Sequence, residues 1–291
     1  MPELPEVETI RRDLVSKIVN KKIKEVKILD KKVVEEGKDK EYKNLKNLKI
    51  ITIIRQGKLL AFLLENKKYI LIHLKMTGQL VFKSDSDIIA GGHPFSSKNN
   101  SNSISKVLPD KHTRFIIYFS NGSILFFNDI RRFGYVKLVS KEKWQEIKES
   151  YGPEPLKAEF KLEDFKQMLS KRKTSIKAVL LNQKLISGLG NIYVDESLFM
   201  SNIDPRREAK SLKDKEVENL FKNIVKVLKL AIKNRGTTFS DYVDGSGKAG
   251  GYSSKLLVFG RDGDLCGKCG SVIKKVKVAG RGTHICEKCQ K

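Results

Sequence analysis

Apolar residues open this chain at Leu4, Val7, Ile10, Leu14 and Ile18, at intervals of 3, 3, 4 and 4 residues. That spacing gathers them on one face of an amphipathic helix. Pro5 suits a first helical turn, where its missing N–H is no loss, and Glu6 and Glu8 complement the positive end of the helix dipole. The period then changes. Candidate strands at 48–55, 59–64, 69–74, 79–83, 113–119 and 123–128 are punctuated by turn signals at Gln56-Gly57-Lys58, Glu65-Asn66-Lys67 and Asn121-Gly122. Short strands with close turns predict an antiparallel sandwich or barrel. The Ser/Asn/Gly-rich stretch within residues 84–110 reads as a mobile surface insertion.

From about residue 141 the pattern turns helical, with Tyr151-Gly152-Pro153-Glu154-Pro155 as a stiff hinge and helices predicted over 161–170, 174–183, 191–201 and 212–234. The connector Lys184-Leu185-Ile186-Ser187-Gly188-Leu189-Gly190-Asn191 is too long for a tight helix-turn-helix. It reads as two consecutive turns entering a helix N-terminus, with backbone amides and the Asn191 amide directed at a phosphate; the plainer alternative is a glycine-rich connector that Asn191 merely caps. A second glycine-rich stretch, 236–252, reads as a flap. The fold class is therefore α+β. An N-terminal helix and β-sandwich domain (1–140) leads through a linker (141–156) to a helical, helix-two-turns-helix domain (157–259) and a terminal segment, 260–291.

That terminal segment holds all four cysteines, as Cys266-Gly-Lys-Cys269 and Cys286-Glu-Lys-Cys289 with sixteen residues between. Two such knuckles supply four thiolates for one tetrahedral Zn2+, and the stretch between them reads as a β-hairpin. Two disulfides suit a cytosolic chain poorly, and a redox pair needs no second knuckle. Four thiolates leave no open position for water, so the expected role is structural. Arg281, between Gly280 and Gly282 at the hairpin tip, is placed to project its guanidinium into a groove.

At 291 residues and 40% hydrophobic content the chain can bury a core in each of two domains. It has neither a run of about 18 apolar residues nor a signal-peptide pattern, so a cytoplasmic monomer with no membrane partner is expected. Fifty-eight Lys and Arg against 34 Asp and Glu give a net charge of +24 and a pI near 9.8. Part of this excess reflects a general bias towards Lys; the remainder points to a polyanionic partner.

The start of the chain carries the sharpest chemistry. Removal of Met1 turns Pro2 into a free secondary amine, able to attack an aldehyde-like carbon and form an iminium, with the Glu3 carboxyl beside it for proton transfer. An α-amine has a reference pKa of about 7.7–8.0, and a helix N-terminus further disfavours its protonated form.

Met1-Pro2-Glu3-Leu4-Pro5-Glu6-Val7, Asn182-Gln183 followed by Gly188-Leu189-Gly190-Asn191-Ile192-Tyr193, and the four-cysteine finger with Arg281 together resemble the formamidopyrimidine-DNA glycosylase family over essentially the whole chain outside 84–110. The resemblance implies a bifunctional enzyme of base excision repair. It excises oxidised purines such as 8-oxoguanine and formamidopyrimidines from damaged double-stranded DNA and nicks the abasic strand by β,δ-elimination. Residue by residue it implies Pro2 as nucleophile on the sugar C1′, Glu3 as proton donor and Lys58 as the proton-donating lysine of δ-elimination. It also implies Asn191 and Arg281 as phosphate contacts, His73 as a further backbone contact, and Lys177 as a DNA-binding lysine near the base pocket. Met76, Arg131 and Phe133 match a wedge that fills the space of an everted nucleotide, whose C1′ is out of reach while it is stacked.

The chain departs from the family pattern at Ile130, where proline is usual, at Gly282, where Ser or Thr is common, and around Gly250-Gly251 and Tyr252-Ser253-Ser254. A looser wedge loop and a looser Arg281 turn are the corresponding expectations, and the altered flap sequence makes lesion preference the part of the resemblance that carries over least directly. Two other readings compete. Endonuclease VIII-like enzymes share the proline chemistry but prefer oxidised pyrimidines, and Leu4 with the wedge set favours the purine enzyme. A non-catalytic zinc-ribbon DNA-binding protein accounts for the charge and the finger but leaves Pro2, Glu3 and Lys58 unexplained.

Overall fold

The computed structural model describes residues 1–34, 39–92, 108–238 and 250–291. Positions 93–107 of the expected insertion and 239–249 of the expected flap lie outside the described residues. The chain divides into two compact units, Met1–Glu149 with Arg235–Gly251, and Ser150–Asn234 with Tyr252–Lys291.

In the first unit, α1 (Leu4–Ile18) precedes two antiparallel sheets. One is ordered β1 (Ile23–Ile28), β7 (Thr113–Phe119), β8 (Ile124–Asp129), β5 (Gly78–Lys83), β6 (Ile88–Gly92). The other is ordered β2 (Ile50–Gln56), β3 (Leu59–Leu64), β4 (Tyr69–His73), β9 (Tyr135–Val139), and α2 (Lys141–Glu149) follows it. Val7, Ile10, Leu14 and Ile18 of α1 join Ile53, Phe62 and Ile72 of one sheet and Phe82, Phe115 and Phe127 of the other in a single core. Each such buried side chain contributes about 1.5–3 kcal/mol relative to exposure, so the stripe read from the sequence is what fastens the N-terminus.

Three strands escape the sequence pattern. β1 is charged at Lys24, Glu25 and Lys27 and buries only Ile23 fully, so its alternation is weak; β9 is only five residues long. β6 corrects the reading of 84–110 as an insertion throughout, because Ile88–Gly92 pair with β5 in the register Val81↔Ala90. The reason lies at Gly91, where a Cβ would come within 2.6 Å of Ile10 Cγ1. Glycine here admits α1 against the strand, and the Lys17–Asp87 ion pair at 2.8 Å adds to the contact.

The segment 236–252, assigned from sequence to the helical domain, has its described ends in the first unit up to Gly251. Arg235 pairs with Asp13 of α1 at 2.7 Å, and Thr237 bridges to Gly251. At Gly250 a Cβ would meet Gly236 O at 2.3 Å, so only glycine lets the two ends approach this closely.

The second unit contains α3 (Leu162–Ser170), α4 (Ile176–Leu181), α5 (Asn191–Met200) and α6 (Asp214–Lys233). α6 is amphipathic and buries Val217, Leu220, Ile224, Val227, Leu228 and Ala231. α5 is wrapped on nearly all sides, with Tyr193 through Phe199 buried. α4 stops earlier than its sequence pattern, because Asn182 turns extended (ψ 107°) and Gln183 braces the connector. The Gln183 amide donates to Leu181 O at 3.0 Å and to Leu189 O at 2.8 Å, and accepts from Gly188 N–H at 2.9 Å. The chain ends in the hairpin β10 (Lys274–Val278) and β11 (Arg281–Ile285). Among the described residues no helix is long and apolar enough to cross a membrane.

Candidate nucleic-acid interface and active site

Pro2 is buried and Glu3 is the N-cap residue of α1, while the preceding Met1 is 52% exposed. Glu3 N–H donates to Glu6 Oε2 at 2.8 Å, and Glu3 O accepts from Val7 N–H at 3.1 Å. The helix start thereby holds the Pro2-Glu3 backbone. The other oxygen of Glu6, Oε1, accepts Thr237 N–H at 2.9 Å.

Lys58 lies in the tight turn between β2 and β3, where Gly57 takes a positive φ of 55°. Arg55 fastens that turn to α1: its Nη1 donates to Gly57 O at 3.0 Å and its Nε to Glu8 Oε2 at 2.9 Å. Burial pushes the Glu8 carboxyl up, but hydrogen bonds from Arg11, the charge of Arg55 and hydrogen bonds from Arg12 and Arg55 outweigh it and hold the pKa at about 2. Glu6, Glu8 and Arg55 thus support the candidate catalytic groups. The sequence reading missed Arg55 and gave the two acids only a dipole role; a buried Arg in a strand is the signal that points to such a pair.

His73, at the end of β4, pairs with Leu59 in β3 and Tyr135 in β9. Burial, then the positive charges of Lys75 and Lys58, lower its pKa to about 3. Its Nδ1 accepts Lys75 N–H at 3.0 Å, so the single proton of the neutral ring sits on Nε2. The imidazole is therefore a neutral donor.

Met76, Arg131 and Phe133 come together on the surface. Arg131 Nη1 lies 3.4 Å from Met76 Sδ, its guanidinium carbon stands 4.6 Å from the Phe133 ring centre, and Met76 and Phe133 are 44% and 52% exposed. Such exposure of apolar side chains is the opposite of a core position. Two loops carry them, β4–β5 for Met76 and β8–β9 for Arg131 and Phe133, and the buried Asp129 ties the two together: it accepts Gly134 N–H at 2.7 Å and Arg131 N–H at 3.2 Å and bonds the Thr77 hydroxyl. Ile130 lies in the β8–β9 loop between two residues of this knot, Asp129 and Arg131.

In the second unit Asn191 begins α5, and its Nδ2 donates to Gly282 O at 2.9 Å. Arg281 is exposed at the start of β11, after a turn with positive φ at Ala279 and Gly280. Asn191 and Arg281 are thus neighbours across the strand start, and Gly282 is held there by its carbonyl. Lys177 is different: it is fully buried, with Nζ 2.5 Å from Asp195 Oδ1 and 2.8 Å from Thr283 Oγ1. An ammonium in that position does not reach a DNA-facing surface, which corrects the direct contact expected of it. It is not on a solvated helix face either.

The four cysteine sulfurs lie within 4.8 Å of one another, with Cys266–Cys289 at 3.9 Å and Cys269–Cys286 at 3.5 Å. A Zn–S distance of about 2.3 Å implies sulfur separations of roughly 3.8 Å around a tetrahedron, so the donor set fits Zn2+. Hydrogen bonds from Ser271 draw the Cys269 thiol down to about 6, while burial pushes Cys286 up and Cys289 to about 12. A cation at the centre resolves that conflict by holding all four as thiolates. The adjoining segment is secured by buried Glu196, which accepts Leu257, Val258 and Phe259 N–H groups at 2.9 Å each.

The chain matches the formamidopyrimidine-DNA glycosylase N-terminal domain over residues 1–136, the H2TH domain of the same enzymes over 151–243, and the zinc finger found in FPG and IleRS over 263–291. It is 39% identical over 269 residues to the formamidopyrimidine-DNA glycosylase of Desulfitobacterium hafniense, covering 91% of each chain. It is 40% identical over 268 residues to that of Carboxydothermus hydrogenoformans, covering 91% of this chain and 90% of the relative. Among solved structures it is similar to Lactococcus lactis Fpg in complex with abasic-site DNA, with TM-score 0.84, 34% identity and 99% of both chains covered. A point mutant of the same enzyme in complex with Fapy-dG-containing DNA gives TM-score 0.84 and 34% identity over 100% of both chains. With family models matching the N-terminal, H2TH and zinc-finger segments and relatives 39% and 40% identical over 91% of the chain, the chain belongs to the formamidopyrimidine-DNA glycosylase family and is a DNA-binding repair glycosylase.

Proposed function

We propose that the protein is a bifunctional DNA glycosylase and AP lyase that removes oxidised purines, 8-oxoguanine and formamidopyrimidines, from duplex DNA through a Pro2 Schiff base. The observation that carries this reading is the Pro2-Glu3 pair packed into the start of α1, with the Lys58 turn fastened to the same helix through Arg55 and Glu8.

With Met1 removed, the Pro2 nitrogen lone pair forms a bond to C1′ as the bond from C1′ to the base breaks, and the proton that the nitrogen loses balances the one taken up by the departing base. Glu3 supplies a proton as the sugar ring opens, which leaves a charged iminium. That iminium acidifies the neighbouring C–H, so the 3′ phosphate leaves first. Lys58 serves the proton transfers of the second elimination, which releases the 5′ phosphate. Asn191, Arg281 and the His73 Nε2–H hold phosphates, and Met76, Arg131 and Phe133 fill the vacated stack. Cys266, Cys269, Cys286 and Cys289 would hold Zn2+ in a closed four-thiolate shell, where it would shape the finger and leave no open position for the chemistry.

Borohydride trapping on a duplex with one 8-oxoguanine opposite cytosine tests the reading. The expected result is a covalent adduct through Pro2 that is lost or severely reduced in Pro2→Gly with binding retained. Efficient trapping on oxidised-pyrimidine duplexes but not on this one would move the substrate class to that of endonuclease VIII. Binding without any adduct would leave only the DNA-binding reading.

A further inference from the structure

Of the four residues that follow the hairpin turn, Gly282, Thr283 and His284 are gripped from α4 and α5, and Arg281 is held through Thr283. Thr283 Oγ1 donates to Arg281 O at 3.1 Å and itself accepts from Lys177 Nζ at 2.8 Å. Gly282 O accepts from Asn191 Nδ2 at 2.9 Å, and His284 N–H donates to Asp195 Oδ2 at 3.0 Å. Lys177 and Asp195 close the set with their own contact at 2.5 Å, both side chains being wholly buried.

Stability alone does not account for such a pair, since a buried ion pair replaced by apolar side chains is often neutral or even stabilising. What the pair offers is direction. Among the described residues β11 has a single sheet neighbour, β10, and an isolated two-stranded hairpin is marginal in water. Its start is instead referenced to the helix that begins with Asn191. Because Asp195 lies four residues after Asn191, about one turn along the same helix face, one helix sets both the amide and, through Lys177 and Thr283, the backbone of Arg281.

We propose that Lys177 and Asp195 form a positioning pair that locks Arg281 in register with Asn191, so that the two engage the DNA backbone as one clamp. Lys177 acts through Thr283 and does not touch DNA. The inference rests on the reading of Asn191 and Arg281 as phosphate contacts.

Two variants test it. Thr283→Val removes one hydroxyl from the relay, and the double variant Lys177→Met with Asp195→Asn removes both charges while avoiding a lone buried ion. Each is assayed for zinc content, thermal midpoint, affinity for a duplex with a tetrahydrofuran abasic analogue across salt concentrations, and trapping rate on saturating abasic duplex. The expected result is full zinc, about tenfold weaker affinity, and a salt slope shallower by about 0.9–1.8, the value for one or two phosphates. The rate at saturation is expected to stay at the wild-type value. Arg281→Ala is expected to weaken the wild type but to cost little further affinity in either variant.

Wild-type affinity and slope in both variants would overturn the proposal. So would an Arg281→Ala penalty of equal size in all backgrounds, including the case where affinity falls only in step with lost zinc or a lowered midpoint. An Arg281→Ala change without effect in the wild type would instead remove the phosphate reading of Arg281.

Discussion

Glu6 and Thr237 are joined across 231 residues of chain by a 2.9 Å hydrogen bond from the Thr237 N–H to the Glu6 carboxylate, whose second oxygen holds Glu3 N–H. One buried carboxylate therefore ties the residue beside the proposed nucleophile to the base of the 236–252 segment. Glu6→Gln keeps the volume but offers one accepting oxygen in place of two, leaving one buried N–H unsatisfied at a cost of about 1–3 kcal/mol. The expected outcome is a lower thermal midpoint and slowed single-turnover excision, with zinc content unchanged. Wild-type excision by Glu6→Gln would show that this tie does not position Glu3.

Acid should destabilise the first unit in two stages. The unfolded chain protonates His73 below about 6.5, whereas the folded protein refuses that proton until about pH 3. Stability from this group is complete above pH 6.5 and drains as pH falls towards 3. Glu8 has its ordinary value of 4.5 lowered to about 2 on folding, so its contribution is complete above pH 4.5 and is lost between there and pH 2. Each pH unit inside such a window removes up to about 1.4 kcal/mol per group. Thermal midpoints measured from pH 8 to 4 should fall below 6.5 and fall faster below 4.5, and His73→Gln should flatten the upper stage. An imidazole resonance of His73 that titrates near pH 6.5 would remove this account and the neutral-donor role with it.

Zinc should serve binding. Cys269→Ser leaves three thiolates, opens the tetrahedral shell and releases the metal. Duplex affinity is expected to fall by at least tenfold, while borohydride trapping on single-stranded abasic DNA persists. Binding by wild type should weaken with salt at a log–log slope of about −0.9 per phosphate neutralised. A zinc-free variant that binds lesion duplex as tightly as wild type would show that the finger is no part of the grip.

The exposed cluster of Met76, Arg131 and Phe133 should matter only where a stacked duplex must be opened. Unstacking and unpairing cost a few kcal/mol, which inserted side chains offset. Alanine variants are expected to lose most activity on duplex, less opposite a mismatch, and little on single-stranded abasic DNA. Asp129→Asn, which weakens the knot between the two loops, should reproduce the duplex defect in milder form. Equal losses on all three substrates would assign these residues to folding or to the chemical step.

The sequence by itself determined whatever rests on local period, turn chemistry or short spacing. The α1 stripe, the β2 to β5 run, the start of α5 at Asn191 and the cysteine knuckles are written within a few residues of where they act, and the structure places each of them accordingly. Tertiary structure decided what depends on partners distant in the chain. β6 became a strand because Gly91 fits under Ile10, and the Lys58 turn is oriented by an Arg55–Glu8 pair spanning 47 residues. Lys177 left the surface because Asp195 and Thr283, 18 and 106 residues away, satisfy its charge inside the protein. A charged residue reads as exposed until its counter-charge is known, and a counter-charge supplied by another element becomes visible only once the chain has folded.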